Sequence, residues 1–231
     1  NAAVDAVEAT GADTASEIQG VVDQVIADLA AAAAVVAAVD KIEVYAGSNT
    51  NPAPELADYS TAGITGVTAE NLADVNIAID AAEATGADTA SEIQAIVDQV
   101  IADLAAAAAV DKIEAYAGSN TNPAPELADY STAGITGVTT ENLADVNAAI
   151  DAAEAAGADT VSEIQAIVDQ VIADLAAAAA VVAAVDKIEA YAGSNTNPAP
   201  ELADYSTAGI TGVTAENLSD VNAAIDAAEA A

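Results

Sequence analysis

The sequence predicts an all-α protein made of tandem three-helix repeats, with one long, one short and one medium helix in each unit of 71–75 residues, strung into an elongated array. Three observations predict it. The segment YAGSNTNPAPELADYSTAGITGVT begins at Tyr45, Tyr116 and Tyr191 and is identical in all three places. Apolar residues on either side of it recur at helical spacing. The copies also differ in length by four residues inside an alanine run: Leu29 leads to Asp40 and Leu175 to Asp186 by a longer path than Leu104 to Asp111. Four residues turn an α-helix by about 400° and leave its buried stripe within about 40° of its old direction. Alanine runs with few β-branched residues do not favour strands.

The long helix opens with a capping box, Thr14 to Glu17, which recurs as Thr89 to Glu92 and Thr160 to Glu163. Hydroxyl and carboxylate there satisfy orphan backbone donors reciprocally. An apolar stripe follows at Ile18, Val21, Val22, Val25, Ile26 and Leu29 and continues past the alanines through Val36, Val39 and Ile42. The helix is expected to stop near Ala46, before Gly47; at about thirty residues it makes a rod of roughly 45–50 Å. A polar loop, residues 47–53, leads into a short helix that has Pro52 and Pro54 near its start, carries Leu56 and Tyr59, and ends at Gly63. After a turn at 63–67, Thr68 caps a third helix with Leu72, Val75 and Ile79 inward, ending before Gly86. The link to the next unit is Gly-Ala-Asp alone.

Asn1, Asn76, Asn147 and Asn222 align and set the register. Residues 1–10 read as the end of a third helix from a preceding repeat, followed by repeats at 11–85, 86–156 and 157–231. Neighbouring repeats are expected on both sides, and serial three-helix bundles are expected rather than a continuous stack.

Of the 231 residues, 54% are hydrophobic, but most of these are alanine; Phe, Trp, Met and Cys are absent and the aromatics are six tyrosines. Burial therefore falls to Val, Ile, Leu and Tyr, and each unit is thinly packed. Thirty-eight acids against three lysines give a formal charge of -35. That charge repels phosphate backbones and anionic lipid, so neither nucleic acid nor a membrane surface is expected as a partner. Salt relieves the self-repulsion, since the Debye length falls to about 3 Å at 1 M, which suits a saline exterior. The longest uncharged apolar run, Leu29–Val39, has 11 residues against the roughly 20 of a membrane span, so membrane insertion is not expected; nor does a basic region at Asn1 mark a signal peptide.

Acid–base or nucleophilic chemistry ordinarily draws on His, Cys or an activated Lys. His and Cys are absent, so no catalytic, cofactor-binding or metal-ligating residue is assigned and the chain is not read as an enzyme. The one lysine of each unit, Lys41, Lys112 or Lys187, lies in the last turns of the long helix beside an aspartate, where it is expected to complement the negative helix end. Asp23 and Asp28 fall between apolar positions and read as a solvated face. No loop has the alternating acids of a tight calcium site, leaving diffuse screening by Ca²⁺ or other cations. Tyr45 and Tyr59 are expected to plug the bundle end.

The run YSTAGITGVTAENLADVNIAI, Tyr59 to Ile79, together with the alanine-rich helices, resembles the helical repeat regions of giant secreted surface proteins and adhesins of marine Gram-negative bacteria. The resemblance extends over the whole chain through its repeats. It implies a spacer or extender at the cell surface, without catalysis, that projects adhesive modules and has neighbouring repeats of the same chain as its partners. The alternative is a self-assembling subunit of an extracellular filament or surface layer, with identical chains as partners.

Overall fold

The computed structural model describes residues 14–48, 50–82, 86–119, 121–153, 157–194 and 196–228. The expected third-helix end at 1–10 and the loop residue Asn49 lie outside them. Among the described residues the regular structure is helical, in three rounds of long, short and medium: α1 (Ala15–Tyr45), α2 (Leu56–Thr61), α3 (Leu72–Ala81), α4 (Ala90–Tyr116), α5 (Leu127–Thr132), α6 (Leu143–Ala152), α7 (Val161–Tyr191), α8 (Leu202–Thr207) and α9 (Leu218–Asp226). The long helices have 31, 27 and 31 residues; the short one is the copy that lacks four residues of the alanine run.

The caps follow the sequence closely at the long helices. The Glu17 amide donates to the Thr14 hydroxyl at 3.3 Å and the Thr14 amide returns a bond to the Glu17 carboxylate at 2.8 Å. Thr89 and Glu92 repeat the exchange at 3.2 and 3.1 Å. The third helix begins later than expected: Asn71, not Thr68, precedes its first residue. Thr68 instead closes a turn before the helix, its amide donating to the Asn71 side chain at 2.7 Å while the Asn71 amide donates back to its hydroxyl at 3.4 Å. An Asn side chain that accepts from a backbone N–H three residues earlier offers the chain a turn in competition with a helical start.

Residues 1–105 and 106–231 form two compact units. The core of the first gathers Ala38, Ile42 and Ala46 from the end of α1, Tyr59, Ala62 and Ile64 from α2 and the turn after it, Val75 and Ile79 from α3, and Ala87, Ile93, Val97 and Val100 from the link and the first half of α4. In the second unit the corresponding residues, Ala109 through Val168, make the same core from the end of α4, α5, α6 and the first half of α7. The packing unit is thus offset from the sequence period, because it borrows half of the next repeat's long helix.

This offset corrects the reading of the long stripe. Ile18, Val22, Ile26, Leu29 and Val36 of α1 are exposed, whereas Ala38 and Ile42 are buried. The stripe is two docking faces in series, one for each end of the helix, and residues 26–37 between them are exposed throughout.

Candidate functional site

The best-built feature of the chain is the joint at which one repeat receives the next. Tyr59 forms its centre. The ring has no solvent access, and its hydroxyl donates to Asn76 Oδ1 at 2.6 Å while Asn76 Nδ2 donates to the Pro54 carbonyl at 3.1 Å. One residue from the third helix therefore ties the short helix to the proline loop. Tyr130 with Asn147 and Tyr205 with Asn222 repeat the arrangement at the same 2.6 Å. Burial, reinforced by nearby Tyr45 and Asp58, pushes the Tyr59 hydroxyl far above its ordinary pKa, so it stays a neutral donor. Tyr59 accordingly lies in the core, while Tyr45 only packs against it partly buried.

Lys41 is placed differently from the sequence expectation. Its ammonium meets Asp58 Oδ2 at 2.5 Å, 17 residues on in α2, and the last turn of α1 contains no basic residue. An ammonium on a four-carbon stem reaches a neighbouring helix more favourably than the diffuse end of its own. Burial opposes the charge on Asp58, but Lys41 and the Glu55 amide outweigh it and hold the carboxyl below its ordinary pKa. The Glu55 amide bond, 2.7 Å long, makes Asp58 a clamp on the start of α2 as well. Lys112 with Asp129 and Lys187 with Asp204 are the same pair.

Two further contacts receive the next long helix. Gln94 accepts from the Thr65 amide at 2.8 Å and donates to the Thr65 carbonyl at 3.1 Å, reading both backbone groups of one turn residue; Gln165 does this to Thr136 at 2.9 and 3.1 Å. Gly66 sits at φ +85° with Ile101 Cδ1 only 2.6 Å from where a Cβ would be. Both the left-handed backbone and the close helix demand glycine there. The spacings 17 and 29, constant between copies, were the available sequence signal for these pairs; the helical periodicity alone does not select them.

Asp23 and Asp28 are exposed and accept from Gln19 and Gln24, one turn away, at 2.7 Å each. Among the described residues no group of three or more acidic side chains converges on a point that would hold a metal ion. In the loop, Asn51 donates from its side chain to the Val44 carbonyl and so satisfies an end of α1.

By length and composition α1, α4 and α7 are apolar enough to cross a membrane, with mean hydropathy of 1.8, 1.6 and 1.9 over their best windows. This differs from the sequence reading because that reading ended each apolar run at the first charged residue, whereas the helices stay apolar on average across the few acids they contain. No known family, curated protein or solved structure matches the chain.

Proposed function

We propose that the chain is a structural spacer, a non-catalytic extender of an extracellular repetitive surface protein, whose repeats are coupled by sharing each long helix between successive cores. The observation that carries this reading is the division of labour along α4: Ile93 and Val97 are fully buried in one core and Ile113 in the next, while residues 101–105 between them are exposed. A helix that is buried at both ends and exposed in between serves length. The four-residue difference between copies falls in the alanine run just beyond residue 105 and alters helix length by about 6 Å.

The same division weighs against a membrane role for the long helices. Inserting α4 would strip Ile93, Val97 and Ile113 from their cores and bring Asp98 and Asp103 into hydrocarbon, at about 2.5–3.5 kcal/mol for each acid near the centre. With a net charge of -35, a saline exterior provides the screening that such a chain needs.

The test is the maximum dimension of chains with increasing numbers of repeats, measured by small-angle scattering in high salt. A spacer gains a constant increment per repeat. A dimension that grows only as the cube root of mass marks a collapsed assembly and rejects the reading. In the parent protein, deleting whole repeats is expected to shorten reach without abolishing attachment.

A further inference from the structure

We propose that the junction between the first and third helices of a repeat binds a calcium-sized divalent cation through the carboxylate of Asp80, and that Asp151 holds a second one in the next repeat. The observation that points to it is an orphaned oxygen. Oδ1 of Asp80 and Oδ1 of Asp151 are buried without a hydrogen-bond partner, and among the described residues no other side-chain oxygen or nitrogen is in that condition. A buried carboxylate oxygen left without a partner is costly. Here it recurs at the same position of two copies.

The surroundings of that oxygen are negative. Asp80 lies in the last turn of α3, and its backbone carbonyl accepts from the Gly47 amide at 2.9 Å, which brings the end of α1 against the end of α3. Gly118 and Asp151 join the ends of α4 and α6 at the same distance. Each helix end carries the negative pole of its backbone dipoles, equivalent to about half an elementary charge. The carboxylate therefore stands where two such poles meet, and none of these last turns has a basic residue. The three basic residues of the chain are lysines, paired with Asp58, Asp129 and Asp204, so no basic side chain is left to neutralise Asp80 or Asp151. A water molecule satisfies a lone pair but leaves that charge uncompensated. A cation answers both needs.

Oxygen ligands select a hard cation. Calcium accepts carboxylate, carbonyl and water oxygens together in irregular geometry, whereas magnesium demands a near-ideal octahedron and gives up its water reluctantly. With a single carboxylate in each site, the dissociation constant belongs to the weak range of extracellular calcium modules, about 10⁻⁴–10⁻³ M. Such a site differs from diffuse screening because it saturates at a fixed stoichiometry. The bound ion ties the ends of α1 and α3 together, so calcium stabilises a repeat beyond what magnesium does at the same concentration. This inference rests on the helix junction alone and is independent of the spacer reading.

The test uses the full chain and terbium, a luminescent substitute for calcium that is sensitised by nearby tyrosine; Tyr45 and Tyr116 lie two residues before Gly47 and Gly118. At about 0.15 M NaCl, where the Debye length is about 8 Å, tyrosine-sensitised emission is expected to saturate and to be displaced by millimolar calcium. The Asp80→Asn/Asp151→Asn variant is expected to lose two terbium sites per chain while keeping wild-type circular dichroism. It is also expected to lose the extra rise in melting temperature that CaCl2 gives wild type over MgCl2. Asp23→Asn/Asp28→Asn, which removes the same charge from an exposed face, is expected to keep both sites and the rise. Emission that never saturates, or an equal loss in the two variants, would mark diffuse condensation and overturn the proposal. Wild type that melts identically in CaCl2 and MgCl2, or an Asp80/Asp151 variant with unchanged stoichiometry, overturns it as well.

Discussion

Around Tyr59, Val75 and Ile79 the side chains are sealed from solvent, whereas from residue 26 to residue 37 of α1 every residue is exposed. By sequence the exposed stretch is the more apolar of the two. What separates them is side-chain size and neighbours. The bundle brings Ile, Val and Tyr from four elements to one point, while the middle of the helix offers mainly alanine, whose small area gives little burial even when something packs on it. A helix so placed is held by its ends and by alanine's high intrinsic propensity, which is the strongest of the common residues. The difference explains where the copies tolerate a change in length: a four-residue deletion in the bare stretch removes no contact, and the same deletion in the bundle removes a layer of core.

The largest effect that tests this contrast is charge placed on each side of it. Val75→Asp and Ile79→Asp bury an unpaired carboxylate and are expected to unfold the first bundle, at more than about 4 kcal/mol. Val36→Asp, in the exposed stretch, is expected to change stability by no more than about 0.5 kcal/mol. Thermal melts followed by circular dichroism distinguish them, and equal effects at the two places would erase the distinction.

Deletion probes the same boundary through the backbone. Removing residues 34–37 turns the alanine run of α1 into the shorter one of α4 and should leave the melting temperature nearly unchanged. Removing residues 42–45 takes Ile42 out of the core and should abolish cooperative melting of that bundle. A smaller contrast lies between filled and open joints. Ile64→Ala is expected to cost about 2–5 kcal/mol as a core truncation, and Ile210→Ala under about 1 kcal/mol, because Ile210 is 44% exposed.

The smallest effect is electrostatic and has two opposing parts. Lowering the pH toward the carboxylate range reduces the -35 charge and relieves repulsion, so stability first rises. The carboxyls of Asp58, Asp129 and Asp204 are held below their ordinary pKa. Their contribution is therefore fully present above the unfolded value, near pH 4, and is lost as the pH falls through the lower folded values. Stability should peak in mild acid and decline below it. In the Asp58→Asn/Asp129→Asn/Asp204→Asn variant that decline should flatten. Since the paired lysines are about 40% exposed, solvent screening keeps the effect modest. At neutral pH, added NaCl should raise the melting temperature of wild type, and a fall would contradict the role given to repulsion.

Much of the fold was legible along the chain because it is local. Thr14 and Glu17 announce a helix start through a bond between neighbours in sequence, Gly63 and Gly66 supply the left-handed turns, and the repeat places each long, short and medium helix by copying. The expected positions of Lys41 and Thr68 were missed for one reason: each has a nearby partner that local rules favour and another that only packing or turn geometry selects. Asp58, on a neighbouring helix, takes the lysine, and Asn71 takes the threonine hydroxyl before the helix begins.

The sequence by itself determined that this is a helical tandem array, where its long helices start, and that it carries no histidine or cysteine chemistry. Only the tertiary structure decided which half of a long helix belongs to which core. Periodicity reports that Ile18, Val22, Ile42 and their copies share an apolar character, but it is blind to the partner that buries them. That partner is fixed where Gln94 and Ile101 of the next long helix meet Thr65 and Gly66, residues far apart along the chain.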